Sequence, residues 1–321
     1  MRRVEHLVNA TFCLSLLAGA FSEAAQPRWW ANSPIPIENG LNQTTAVVAD
    51  NGLIYLIGGG LGYRPDSRTD GLLAYDPRSD SYWDLTPIPI ADGISAYGAA
   101  AAIGTNIYVF GGVAGVLAPV YLQTLWIYDI VNDAWSPGAD MPAQRWGSAV
   151  GVVNGKIIIA GGGTTTIQNS TWIYDPGSDG YTTVASMPEG LNTYRIHGVG
   201  FSNRGEAGQF HAFAGGFNGT GHFVYDVAAN RWSLAPAMPL GVTDPGVATF
   251  GSNVYLTGGT SGSTGRLQIY NLDTNTWSVG AIMLSPVNNT SVVVTSEGVL
   301  YNFGGANQTD AIPTNQSMVA P

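Results

Sequence analysis

Four side chains in the middle of this chain are of the kinds that hold, or exchange protons with, a small polar molecule: Arg145, Arg195, His197 and Asp244. An arginine presents a planar fork of donors that pairs with carboxylate or enolate oxygens. A histidine or an aspartate within hydrogen-bond reach of a substrate proton serves as a general base. Asn42, Tyr97, Trp146, Tyr194 and Asn288 stand at related places along the chain and add rings and amides suited to ligand binding. Gathered in one funnel, these residues would take a small polar or aromatic ligand carrying an acidic group. The competing expectation for the arginines is structural, with each one bridging neighbouring strands through backbone carbonyls.

Other chemistries lack their residues. Three of the four histidines, His197, His211 and His222, fall close together in sequence but without a compact ligand spacing, so no metal is expected. No Gly-x-Ser-x-Gly elbow, phosphate loop or EF-hand pattern occurs, and no cofactor is expected. A net charge of −10 with 11% charged residues argues against nucleic acid and anionic membrane surfaces as partners.

What must position these residues is a repeat. Six times a β-type apolar run ends in a glycine pair, at Gly58, Gly111, Gly161, Gly215, Gly258 and Gly304, with intervals of 53, 50, 54, 43 and 46 residues. The runs, such as Ile54–Ile57 and Ile157–Ala160, are short, β-branched and flanked by turn residues, which marks buried strands. Asp50-Asn51-Gly52, Asn154-Gly155 and Glu297-Gly298 precede them as tight hairpin turns. Tyr75-Asp76, Tyr128-Asp129, Tyr174-Asp175, Tyr225-Asp226 and Tyr270-Asn271 follow, each with a large aromatic seven or eight residues beyond: Trp83, Trp135, Tyr181, Trp232 and Trp277. Met141-Pro142, Met187-Pro188 and Met238-Pro239 come six residues after that aromatic.

This combination of glycine pair, Tyr-Asp step and spaced tryptophan resembles the kelch family over essentially the whole chain beyond its first residues, at the family's period of roughly 50 residues. The resemblance implies an all-β, six-bladed propeller of four-stranded antiparallel blades around a central channel. Repeats are expected around 42–83, 95–135, 145–181, 195–232, 242–277 and 288–321. The sixth lacks its last strand, and Trp29 stands six residues before Ile35, as Trp135 does before Met141. Residues 27–31 are therefore expected to complete the last blade and close the ring, within a single domain spanning 25–321. Counting 16 residues back from each glycine pair, with four extra allowed in the fourth repeat, puts Asn42, Ser95, Arg145, Arg195, Val242 and Asn288 at the entrances of the innermost strands.

The first 24 residues read as a secretory signal: Arg2 and Arg3, an uncharged stretch from Ala10 to Phe21, and cleavage after Ala20 or Ala24. Seven Asn-x-Ser/Thr triplets, at Asn42, Asn169, Asn218, Asn288, Asn289, Asn307 and Asn315, mark candidate glycosylation sites of a secreted glycoprotein of fungal type. The only cysteine, Cys13, lies in the signal, so the copper-radical chemistry of kelch oxidases similar to galactose oxidase, which needs a cysteine bonded to a tyrosine, is not expected. No membrane span is expected after signal cleavage, and a monomer is expected. Two functions remain: a binding or interaction protein for a small molecule, glycan or protein at the channel mouth, or a cofactor-free isomerase, cyclase or dehydratase. Kelch proteins similar to sugar mutarotases, and kelch-like proteins of fungal secondary metabolism, support the second.

Overall fold

The computed structural model describes residues 28–38, 40–61, 68–90, 93–95, 99–115, 118–189, 192–259, 265–306 and 311–321. The signal segment, Tyr97 and Asn307 lie outside them. Every regular element among the described residues is a β-strand, and six four-stranded antiparallel sheets form the blades of a propeller. Blade 1 runs outward through Thr45–Val48, Ile54–Ile57, Leu72–Asp76 and Ser81–Leu85. Blade 3 does so through Ala149–Val153, Lys156–Ala160, Thr171–Asp175 and Gly180–Val184. Blades 2, 4 and 5 repeat the pattern behind the inner strands Ala100–Ile103, Ile196–Phe201 and Gly246–Phe250.

Blade 6 closes the ring as expected. Its own strands are Ser291–Val294, Val299–Phe303 and Asn315–Val319, and the fourth is Trp30–Ala31, with Trp30 opposite Ser317 and Ala31 opposite Gln316. Trp29 is buried with Leu267, Met283, Val287, Leu300 and Met318 between blades 5 and 6. Side chains of this kind contribute about 1.5–3 kcal/mol each when fully buried. Pairing both termini in one blade removes the open edge that a linear array would leave.

The tyrosine and tryptophan of the signature form an inter-blade clamp with an acceptor five residues after the tyrosine, while the Asp of the Tyr-Asp step accepts within its own turn, as Asp129 does from Val131 and Asn132. In blade 2 the Tyr128 hydroxyl donates to Asp133 at 2.6 Å, and Asp133 also accepts the Thr86 N–H of the preceding connection at 2.9 Å. Trp135 completes the clamp by donating from Nε1 to the Thr86 carbonyl at 2.8 Å. Blade 4 repeats it with Tyr225, Asn230 and Trp232 around Ala185. Blade 3 uses Tyr174, Asp179 and Tyr181 around Ala139. In blade 1 the aromatic partner is Tyr82, opposite Tyr75 and bonded to the Ser33 carbonyl, rather than the expected Trp83. Trp83 is one residue further along the strand and faces the other way, since side chains alternate with period two.

The glycine pairs hold the inner strands in register around the channel. Gly112 N–H donates to the Arg145 carbonyl of the next blade at 2.8 Å, Gly162 to Thr193 at 2.7 Å and Gly305 to Leu41 at 2.7 Å. A Cβ at Gly111 would stand 2.4 Å from the Arg145 carbonyl oxygen, and its φ of 56° is left-handed. Only glycine lets the two chains approach so closely in that conformation.

Candidate functional site

At the entrance of the inner strands the chain turns left-handed in five blades: Gln43, Gly147, Arg195, Asp244 and Asn289 all have φ between 50 and 62°. Outside glycine, such a conformation is tolerated best by short polar residues such as Asn and Asp. Here it turns side chains toward the channel at one mouth. Two of the entrances, from blades 4 and 5, meet there. Arg195 Nη1 pairs with Asp244 Oδ2, a carboxylate only 1% exposed. His197 Nε2 lies 3.9 Å from the other carboxylate oxygen, Oδ1.

Around Arg195 stand three rings. The guanidinium carbon is 5.7 Å from the Trp146 centroid, 5.3 Å from Tyr194 and 5.4 Å from Phe217. All lie within the roughly 6 Å over which a cation is attracted to a ring face. Trp146 meets Tyr194 edge-on at 4.7 Å and lies nearly parallel to Tyr121 at 6.3 Å. Tyr121 comes from the segment after the second glycine pair. There Val113–Ala114 pairs with both Val120–Tyr121 and Ile94–Ser95 as a small sheet at the mouth. Phe217 remains 72% exposed at the rim. Sequence reading missed Phe217 and Tyr121.

Arg145 does not join this group. Its guanidinium lies over Trp172 at 4.4 Å from the ring centroid, within blade 3, and donates to the Gln144 carbonyl and the Ser170 hydroxyl. It is 4% exposed, and desolvation lowers its pKa to about 10. By backbone pairing Arg145 stands two residues before the left-handed Gly147, the position that Arg195 holds in blade 4, and the fixed count hides this. The inner hairpins of blades 1 and 6 span Ala49 to Leu53 and Thr295 to Val299, whereas that of blade 3 turns through Asn154-Gly155 alone. The fixed count of 16 residues therefore aligns Arg145 with Asn42 and Asn288, while backbone pairing aligns Trp146 with them: Asn42 opposite Gly60, Trp146 opposite Gly163, Asn288 opposite Ala306. A slip of one residue reverses the face a side chain takes.

Asn42 is 1% exposed and Asn315 is 3% exposed, with Asn315 Nδ2 donating to the Tyr82 hydroxyl at 2.8 Å, so the folded chain presents neither to solvent. Asn169, Asn288 and Asn289 are half-buried, and Asn218, beside Phe217, is exposed. Among the described residues no group of three or more His, Cys, Asp or Glu side chains is placed to hold a metal ion. His211 and His222, two of the three clustered histidines, are instead buried between blades 4 and 5, with His211 Nδ1 2.9 Å from His222 Nε2.

Comparison with known proteins agrees with the fold. The family model of the KLHDC2/KLHL20/DRC7 Kelch-repeats domain matches residues 24–204, and that of the Kelch motif matches residues 242–284. Kelch-like protein terF of Aspergillus terreus is 27% identical over 184 residues, covering 50% of this chain and 38% of that protein. Kelch-like protein 15 of Danio rerio is 27% identical over 235 residues, covering 65% and 37% respectively. The chain thus spans well under half the length of these curated relatives. The solved structure of YjhT superposes with a TM-score of 0.71 at 15% identity, over 88% of this chain and 95% of that one, a likeness of fold.

Proposed function

The chain belongs to the kelch-repeat β-propeller family, and from that premise we propose that it is a secreted binding protein whose channel-mouth rim grips a protein partner. Propellers of this family commonly act as protein-interaction scaffolds. The observation that carries the proposal is the 72% exposed Phe217 against the Arg195 guanidinium, with Tyr194 beside it and the buried Trp146, stacked on Tyr121, supporting both. Trp, Tyr and Arg dominate the energetics of protein interfaces, and a rigid ring offers large contact area at low entropic cost. Caging by the rings and pairing with Asp244 hold Arg195 in place before any partner arrives, which lowers the ordering cost of binding. The acid-binding role expected for a free arginine fork is weakened, because Asp244 already occupies part of it.

A cofactor-free enzyme is the second reading, supported by His197 and Asp244 facing the same channel. An aspartate-oriented base needs a hydrogen bond of about 2.6–3.2 Å; the 3.9 Å separation favours binding over acid–base catalysis. The test is site-specific photocrosslinking in the native culture fluid. A benzophenone side chain would replace Phe217 at the rim or Val131, equally exposed at 72%, in a turn at the opposite end of the blades. One crosslinked species unique to position 217, lost when Trp146→Ala is added, is expected. Identical products from both positions, or none from 217, would sink the rim as a binding face. N-terminal sequencing of the secreted protein, expected to begin after Ala20 or Ala24, checks the export it presupposes.

A further inference from the structure

We propose that the central channel is itself a binding site for a neutral polyhydroxylated ligand, which inserts a hydroxyl-bearing end between His197, Asp244 and Asn289. The site lies inside the ring and uses the Asp244 oxygen that does not pair with the rim's Arg195, so it stands whether or not the rim binds a protein.

His197, Asp244 and Asn289 line one cavity of about 100 Å³, and each carries a buried polar atom: His197 Nε2, Asp244 Oδ1 and Asn289 Oδ1. Among the described residues none of the three has a hydrogen-bond partner. Leaving such an atom unpaired costs about 1–3 kcal/mol, and more when it is charged. One orphan is a packing flaw; three on residues of consecutive blades that line the same cavity make a recognition surface. Their placement is built into the backbone, since Asp244 and Asn289 hold φ of 50 and 52° at equivalent inner-strand entrances.

The chemistry of the three atoms selects the ligand. Asp244 Oδ1 and Asn289 Oδ1 accept hydrogen bonds, so the ligand must donate. The 3.9 Å between His197 Nε2 and Asp244 Oδ1 is too long for a direct bond. A hydroxyl between them donates to the carboxylate and either accepts from or donates to the imidazole, whichever nitrogen carries the proton. An ammonium group satisfies the set only when His197 Nε2 is unprotonated, whereas a hydroxyl serves either tautomer. Anions are disfavoured, because the buried carboxylate repels them and Arg195, the nearest cation, is already paired with it. The rest of the lining mixes small apolar residues, such as Ala100 and Val150, with Thr44, Thr45, Thr290 and Ser291, which suits the alternating hydroxyl and C–H groups of a polyol or sugar. A cavity of this size admits a few waters or one hydroxyl-bearing end of a ligand, whose remainder extends toward the mouth. A free sugar or polyol and the terminal sugar of a glycan share that chemistry.

Saturation-transfer NMR on the intact secreted protein tests this. The probes are the methyl glycosides of glucose, galactose and mannose, myo-inositol, glucuronate and galacturonate as anionic counterparts, and oligosaccharides ending in the same neutral sugars. At least one neutral probe is expected to bind, with its uronate silent. Its affinity should fall about tenfold or more in Asn289→Gly and in His197→Leu, as loss of one well-placed hydrogen bond implies. Binding of oligosaccharides without free glycosides would identify a glycan terminus as the source. Silence of every neutral probe, uronates binding as well as neutral sugars, or wild-type affinity in Asn289→Gly would overturn the proposal. Glycine preserves the left-handed turn, so Asn289→Gly carries the test even where His197→Leu fails to fold.

Discussion

His211 and His222 show how far burial alone can move a group. His222 donates from Nδ1 to the Pro236 carbonyl at 3.2 Å, so its Nε2 accepts from His211 Nδ1–H at 2.9 Å, and the pair is neutral. Desolvation pushes His211 down to about 3, helped by His222 and Arg204, and His222 down to about 4. Above the ordinary histidine value of 6.5, folded and unfolded chains bind the same protons at these sites. Below it the unfolded chain takes up protons that the folded chain refuses, so stability is lost as pH falls from 6.5 toward these depressed values. The slope is up to ~1.4 kcal/mol per pH unit for each histidine. Urea midpoints should therefore drop between pH 7 and about 4.5, and a His211→Phe/His222→Leu variant should show a much flatter profile over that window. An equally steep profile in the variant would locate the pH sensitivity elsewhere. At this scale the sequence was informative about residue type and poor about direction. Arg195 and Asp244 converge because each sits at a left-handed entrance, with His197 two residues further along the inner strand, whereas Arg145, two residues before the left-handed Gly147, lies over Trp172.

A blade element is stable only when latched to its neighbour, and the clamp residue decides the latch. Asp133 accepts from both Tyr128 and the Thr86 backbone while holding φ of 49°. Asp133→Ala should cost about 2–4 kcal/mol, from two lost acceptor contacts and a side chain unsuited to positive φ. Asp133→Asn should cost well under 1 kcal/mol, because an amide oxygen accepts equally well and blade 4 already uses Asn230 in this role. Chemical denaturation of both variants checks this; equal losses would show that charge rather than hydrogen bonding matters. The Tyr-Asp and tryptophan spacing was legible from the chain because pattern residues separated by a tight turn have little freedom to shift. Long-range pairing such as Val113 with Ser95 was not, since nothing local marks which edge a short strand will choose.

For the whole ring, the closing strand is the point of greatest leverage. Trp29 is 2% exposed and Trp30 48%, so their substitutions separate core packing from surface contact. Trp29→Ala should lower stability by about 3–5 kcal/mol and open the Asn315–Val319 strand to proteolysis, while Trp30→Ala should cost under about 1 kcal/mol. Limited proteolysis with mass mapping reads the outcome, and equal resistance in both variants would mean that closure does not depend on the buried ring. The sequence by itself determined the repeat number, the spacing of the tyrosines and aromatics that the clamps of blades 2 to 4 use, and the identity of the closing segment. Each follows from hydrophobic periodicity and turn residues, which act over a few positions and repeat six times. Tertiary structure alone decided which entrance residues share the channel and which turn away. A single extra hairpin residue in blades 1 and 6 shifts the count there, and strand geometry converts that one-residue shift into opposite faces. The pairing of Arg195 with Asp244, 49 positions apart, likewise depends on two left-handed turns brought together by the packing of blade 4 against blade 5.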